Sequence, residues 1–509
     1  MRPSKLARPT PTPWERPSFT LEHSHVRLKS SRTTCDCHPG LVVCAHRIAG
    51  ELTAHIRIRT APALPGHGTG PVGKPPALAD TNYGPARYDA QIVLDRLRRL
   101  LPFQTLEARR LALLFGVVYF AQGTWYLPSQ AVTITLKERG LSAGDVATFF
   151  AITAVPWMIK PVYGLISDFL PLFGRRRTSY FLLSTSLAAG CGFALSLMHS
   201  HPYGWLLALF SAMALGLAFT DVLTDALMVE NGKPLGLTGA FQSVQWGAIY
   251  AASILVGEAG GYFAEHRDLN SAFLWAAAFP LLSLLMVTRF VKEPRVAGER
   301  EAFLETWRAT RAAFADKTVW LVAAFLLFWT FSPSFGTALL YYETDTLGFS
   351  QQFIGHLAAL SSLAAIVGAI IYAPLSRRMR LRRVIILSIG IGVAGTLAYL
   401  GYRGPVSAVI INVTFGCVGM ITQLAFLDLA AKACPRHVEA TFFALLMSVI
   451  NAGTQAAQVV GGYLYDWLGL TPLIFISAAA TALAWLLVPF VGIDAIEARA
   501  KAGEDPSPG

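Results

Sequence analysis

Charge is what this chain has least of. Only 14% of its 509 residues are Asp, Glu, Lys or Arg, while 54% are hydrophobic. A soluble protein of this length needs about 25% charged residues to cover its surface, so the shortage excludes an ordinary globular domain. Cysteine is scarce too, with six residues. Cys191, Cys417 and Cys434 sit in or beside apolar runs and read as small packing residues. Cys35, Cys37 and Cys44, with His38 and His46 nearby, follow no zinc spacing, and no second ligand pair comes at finger distance, so no metal site is expected. There is no phosphate-binding glycine loop and no nucleophile–base–acid set, so neither ATP hydrolysis, another enzyme activity nor a cofactor is expected. The net charge is +11, but the basic residues lie in short clusters between apolar runs. That distribution fits membrane orientation and argues against nucleic acid.

What the chain does have is apolar length. Residues 1–105 are rich in Pro, Arg, Thr and His and contain no spanning run; disorder is expected there. The first 60 residues carry ten Lys/Arg against four Asp/Glu, which weakly resembles an organelle transit peptide, with a misassigned start codon as the equal alternative. Twelve apolar segments follow, at about 111–133, 145–168, 179–198, 203–228, 240–263, 271–290, 319–341, 353–375, 384–401, 405–430, 440–464 and 470–491. Most reach the roughly 20 residues that cross hydrocarbon, and within lipid each must be helical. The expected fold is an all-α polytopic membrane protein of twelve transmembrane helices in two six-helix bundles, residues 106–291 and 318–493. A cytoplasmic linker at 292–317 joins them, with EAFLETWRATRAAF as a surface amphipathic helix, and a disordered tail at 494–509 ends the chain.

Lys and Arg set the orientation. Three stand between segments 2 and 3 and five between segments 8 and 9, against four in all odd-numbered connections together. This bias puts both termini in the cytoplasm. The halves repeat weakly. YGLISD at 163–168 matches YAPLSR at 372–377, Gly260-Gly261-Tyr262 matches Gly461-Gly462-Tyr463, and Asp225 follows Gly216 at the spacing at which Asp428 follows Gly419. The repeat is parallel, so two halves packed face to face are expected.

Four stretches carry a resemblance: YFAQGTWYLPSQAVTITLKERGLSAGD (119–145), VPWMIKPVYGLISDFLPLFGRRRTSY (155–180), TDVLTDALMVE (220–230) and the GGYF of segment 5. With them the chain resembles a major facilitator superfamily transporter, and more narrowly the folate–biopterin transporter family. The superfamily's loop signature is matched in kind by Gly164, Asp168, Gly174, Arg175 and Arg176, in the longer form SDFLPLFGRRR. The resemblance implies that these residues latch two helices on the cytoplasmic side in the outward-facing state. In the second half Asp168 is matched by Arg377, which puts a mirror-image latch in doubt.

Charges inside apolar segments are expensive and informative. Asp221 and Asp225 share one face of segment 4, and Lys160 lies at similar depth in segment 2. Lys160 with either aspartate is expected to form an ion pair, as a proton-sensitive pair lining a cavity or as a structural clamp. Glu258 is a further candidate for the pathway, whereas Glu230 reads as an interfacial anion. Candidate cavity residues are Gln122, Trp125 and Tyr126 in segment 1, Gln242 and Gln245 in segment 5, Trp329 and Tyr341 in segment 7 and Gln423 in segment 10. Asn451, Gln455 and Gln458 form one polar stripe on segment 11. Aromatic faces plus amides suit a flat heteroaromatic solute. Each has a plainer reading as an interfacial belt or an interhelical hydrogen bond. The expected function is a proton-coupled secondary carrier working by alternating access, monomeric, in a bacterial inner membrane or alternatively a plastid envelope. Folate or a pterin is the substrate the resemblance implies. A same-fold carrier of another metabolite, such as a muropeptide, and a non-transporting sensor are the rivals.

Overall fold

A computed structural model describes residues 103–175, 177–291, 293, 308, 317–434 and 439–501. The expected tail up to residue 102, most of the linker at 292–317 and Arg176 lie outside the described residues. The described chain is built of helices, with no strand among the described residues beyond an isolated Leu172–Arg175 bridge.

The first half begins with α1 (Leu106–Gly123), a 3-10 turn at Thr124–Tyr126, and α2 (Ser129–Glu138). Segment 2 becomes three pieces, α3 (Ala143–Thr153), α4 (Val155–Met158) and α5 (Lys160–Phe169). Then come α6 (Thr178–Ser196), α7 (Tyr203–Leu235), α8 (Thr238–Glu265) and α9 (Leu269–Phe290). The second half holds α10 (Lys317–Thr330), α11 (Gly336–Asp345), α12 (Gln351–Arg378), α13 (Leu381–Ala398), α14 (Pro405–Ala433), α15 (Glu439–Leu468) and α16 (Leu470–Val491). Proline explains the breaks, because it lacks the N–H that would bond the carbonyl four residues back. Pro128 interrupts segment 1, Pro156 and Pro161 interrupt segment 2, and Pro333 interrupts segment 7.

Among the described residues nine helices are long and apolar enough to cross a membrane. The expected segments outside that set are 145–168 and 319–341, which proline divides, and 240–263. The last is a continuous helix, α8, whose glutamines, serines and Glu258 dilute its apolar character. Large apolar side chains such as Trp205, Leu285, Val406 and Phe490 are exposed, as on a bundle whose outer solvent is lipid.

Helices of the first half pack around Phe149, Phe210 and Phe273 and around Phe115, Phe181 and Phe241. Those of the second half gather around Phe325, Phe426 and Leu446 and around Tyr402 and Ile474. The halves meet along α8 with α12 and along α15 with α3, α4 and α5. The region from residue 494, expected to be disordered, instead begins with α17 (Ile493–Lys501). Gly492 ends α16 in the left-handed conformation at φ 67°, and α17 then buries Ile493 and Ile496 against the second-half core.

Interhelical contacts are closest at small residues, as expected where lipid removes the hydrophobic drive and packing must supply the attraction. A Cβ on Gly416 would lie 2.2 Å from the Ser361 carbonyl oxygen, and one on Gly368 2.1 Å from that of Cys417. Both are contacts between α12 and α14. We therefore expect Gly416→Leu to destabilise the detergent-purified protein by about 1–3 kcal/mol through overpacking, visible as a lower melting temperature by intrinsic tryptophan fluorescence.

Candidate functional site

A cavity of about 1390 Å³ lies between the halves. The polar side chains on its first-half wall owe their placement to the broken helices. Pro161 cannot bond the Trp157 carbonyl, and Asn451 of α15 donates its Nδ2 to that oxygen at 3.2 Å instead. Tyr163 donates to the carbonyl of Pro156 at 3.0 Å. These substitutes let the backbone bend without orphaning its carbonyls, and the bend brings Trp157 and Lys160 to the cavity.

Lys160 Nζ lies 2.5 Å from Asp221 Oδ2 and 4.9 Å from the centre of the Trp157 ring. Asp221 is 3% exposed, so its charge is compensated by the ammonium rather than by water. Asp225, one turn along α7, faces neutral partners. The Tyr119 hydroxyl donates to its Oδ1, and Gln245 Nε2 reaches the same oxygen at 3.5 Å. This wall therefore holds two carboxylates and one lysine, and the lysine pairs with Asp221. The opposite wall carries a balanced pair, Lys432 to Asp428 at 2.7 Å within α14.

Of the residues singled out from sequence, Gln122, Trp125, Tyr126, Gln242, Gln245, Asn451, Gln455, Gln458, Lys160, Asp221 and Asp225 all line this cavity. Three do not. Trp329 is stacked on Phe426 at 4.3 Å in the second-half core. Gln423 is exposed on another face of α14, since Met420, Leu424, Leu427, Asp428 and Ala431 make that helix's cavity face. Glu258 points away from the cavity and pairs with His356 Nδ1 at 2.8 Å, both side chains about half exposed. Tyr341 also lies elsewhere, donating to the Leu141 carbonyl at 2.7 Å.

In the loop after α5, Phe173 and Gly174 both have positive φ, 55° and 74°, and Arg175 N closes the turn on Leu172 O at 3.1 Å. Gly174 suits that conformation. Gly164 meets only an ordinary contact, with Val222 at 3.7 Å from a built Cβ, and Arg175 is exposed. The side chain of Asp168, like Arg176, lies outside the described residues. The guanidinium that ties this region together is Arg177, which bonds Ser167 Oγ at 2.8 Å and Glu230 Oε1 at 2.7 Å. Sequence reading counted Arg177 only as an orienting charge, and it missed Tyr119, Trp157, Trp246, Tyr250 and Lys432 on the cavity wall.

A model of the BT1 family matches residues 122–488. The chain belongs to the BT1 family. Among curated relatives, this BT1 chain is 33% identical over 406 residues to the folate-biopterin transporter of Synechocystis sp., covering 74% of this chain and 80% of that protein. It is 25% identical to the probable folate-biopterin transporter 4 of Arabidopsis thaliana, over 70% of this chain and 88% of the relative. With folate transporter 2 of Plasmodium falciparum the identity is 26%, over 66% and 76%. Solved structures share the fold. A POT family transporter in complex with a thioalcohol-conjugated peptide superposes with a TM-score of 0.60 at 14% identity, covering 75% of this chain and 97% of the other. A D-xylose-proton symporter gives 0.58 at 14%, covering 75% and 98%. The chain is thus a multi-pass membrane transporter that shares the fold of these carriers, and the cavity sits between its two halves.

Because Lys160 and Asp221 are held together away from water, removing one partner should cost more than removing both. We expect Lys160→Met and Asp221→Asn each to destabilise by about 3–5 kcal/mol, and the double variant to recover part of the loss. Thermal melting of the four proteins as a double-mutant cycle measures the coupling.

Proposed function

We propose that this BT1 protein is a secondary carrier of folate or a pterin, driven by a proton gradient, with all twelve apolar segments crossing the membrane and the cavity open alternately to either side. The observation that carries the reading is the excess carboxylate in the cavity wall. Lys160 satisfies Asp221 at 2.5 Å, and Asp225 is left with the hydroxyl of Tyr119 and the amide of Gln245. A second ionised carboxylate beside the first, in a low-dielectric wall, is relieved by a proton. Asp225 is therefore the group we assign to proton uptake and release, with Asp221 and Lys160 holding the neighbouring charge fixed.

The rest of the wall suits the solute. Trp125, Tyr126, Trp157, Trp246 and Tyr250 supply aromatic faces, and Gln122, Gln242, Gln455 and Gln458 supply donors and acceptors. A pterin ring presents flat faces and an edge of alternating donors and acceptors, which such a wall can stack on and bond. The relatives named for folate or biopterin transport favour this solute over a muropeptide. The cyanobacterial relative favours a bacterial plasma membrane over a plastid envelope.

The test is purified protein in liposomes. Folate or pterin counterflow should be saturable, and an imposed proton gradient should accelerate net uptake. Asp225→Asn should keep counterflow and lose the acceleration. Gradient-driven uptake that survives in Asp225→Asn removes the proton role. Absence of counterflow across a panel of folates and pterins removes the substrate.

A further inference from the structure

Two short sequence features recur in both halves and come together at one end of the molecule. Gly140-Leu141-Ser142 precedes α3, and Gly348-Phe349-Ser350 precedes α12. Both glycines have positive φ, 87° and 65°, and both serines cap their helix, accepting from Asp145 N and Phe353 N respectively. Gly261 of α8 and Gly462 of α15 are each followed four residues later by a carboxylate, Glu265 and Asp466.

The glycines let the halves touch. A Cβ on Gly462 would lie 2.8 Å from Gly144 Cα, and one on Gly261 3.0 Å from Gly355 Cα and from the Gln351 carbonyl oxygen. The carboxylates then reach across to the neighbouring helix start. Asp466 accepts from Ala143 N at 3.1 Å and from Gly144 N at 2.9 Å. Glu265 Oε2 accepts from Gln351 N at 2.5 Å and from Gln352 N at 3.2 Å. In each case the serine cap takes the third N–H of the helix and the foreign carboxylate takes the first two. Lys137 and Asp345, three residues before the two turn glycines, pair with each other and also join the halves.

We infer that Glu265 and Asp466 are the paired outer gate of the carrier. Each carboxylate holds the start of a helix in the opposite half through two charge-assisted bonds and the positive end of that helix. All these contacts lie in connections that the Lys/Arg bias places outside the cell, so together they close that face and leave the cavity to the inner face. Opening outward must break both clasps, since each joins one half to the other. The inference rests on the alternating-access reading.

The experiment uses right-side-out vesicles of the full chain carrying Thr133→Cys, a cavity position, and a membrane-impermeant thiol reagent added outside, with the chain lacking that substitution as background. Combining Glu265→Gln with Asp466→Asn should raise the labelling rate about tenfold or more, as expected from losing charged hydrogen bonds of ordinary strength. Ala143→Pro removes one donor from the other side of a clasp. It is tolerated at a helix start preceded by an extended residue, and Ser142 is extended at φ −72° and ψ 169°. It should raise labelling in the same direction and stands in if the double carboxylate variant fails to fold. An unchanged rate in a folded double variant, or in Ala143→Pro, overturns the gate. Labelling needs no solute. A rise without any folate or pterin flux would therefore sink the folate and pterin reading and keep the clasps, and normal flux with unchanged labelling would do the reverse.

Discussion

The contact between Lys160 and Asp221 is what allows a charged wall to exist inside this bundle. Neither group has enough water around it to stand alone, and each satisfies the other at 2.5 Å. Once that pair is formed, Asp225 cannot borrow the same lysine on equal terms, and its environment is set by Tyr119 and Gln245. The different surroundings of two aspartates one turn apart follow from which of them the lysine reaches.

Proline supplies the geometry for that pairing. A continuous second helix would present a regular stripe, and Lys160 would lie where the helical period put it. Breaks at Pro156 and Pro161 divide the helix into three pieces. Their unpaired carbonyls are taken by Tyr163 and Asn451. The same device recurs at Pro128 and Pro333, in the first helices of the two halves, so the segments with the most irregular backbone border the cavity. This is the pattern expected where non-helical backbone is tolerated only away from lipid.

Much of this was legible in the chain. Apolar runs, basic connections and the paired motifs Tyr163/Tyr372 and Gly261/Gly462 pointed to the fold and its repeat, because lipid leaves few options for a long apolar segment. Lys160 and Asp221 were legible because a charge within such a run is costly enough to demand a partner. Positions on helices that are apolar all round were not. Nothing in the sequence of α14 tells that Met420 and Leu424 face inward while Gln423 does not. Trp329 reads as a ligand platform until Phe426 is found stacked on it. Lys432 and Arg177 were hidden by their position, since a basic residue at the inner end of a helix is fully explained by orientation.

The bond from Asn451 to the Trp157 carbonyl ties the second half to the bend of the second helix. That oxygen is available only because Pro161 follows it, and its donor belongs to the other half. If the halves part at this point, the carbonyl loses its donor, and water entering the same gap is what can replace it. Separation and wetting of the second helix would then be a single event, and the bonded bend would hydrate without any helix having to unwind.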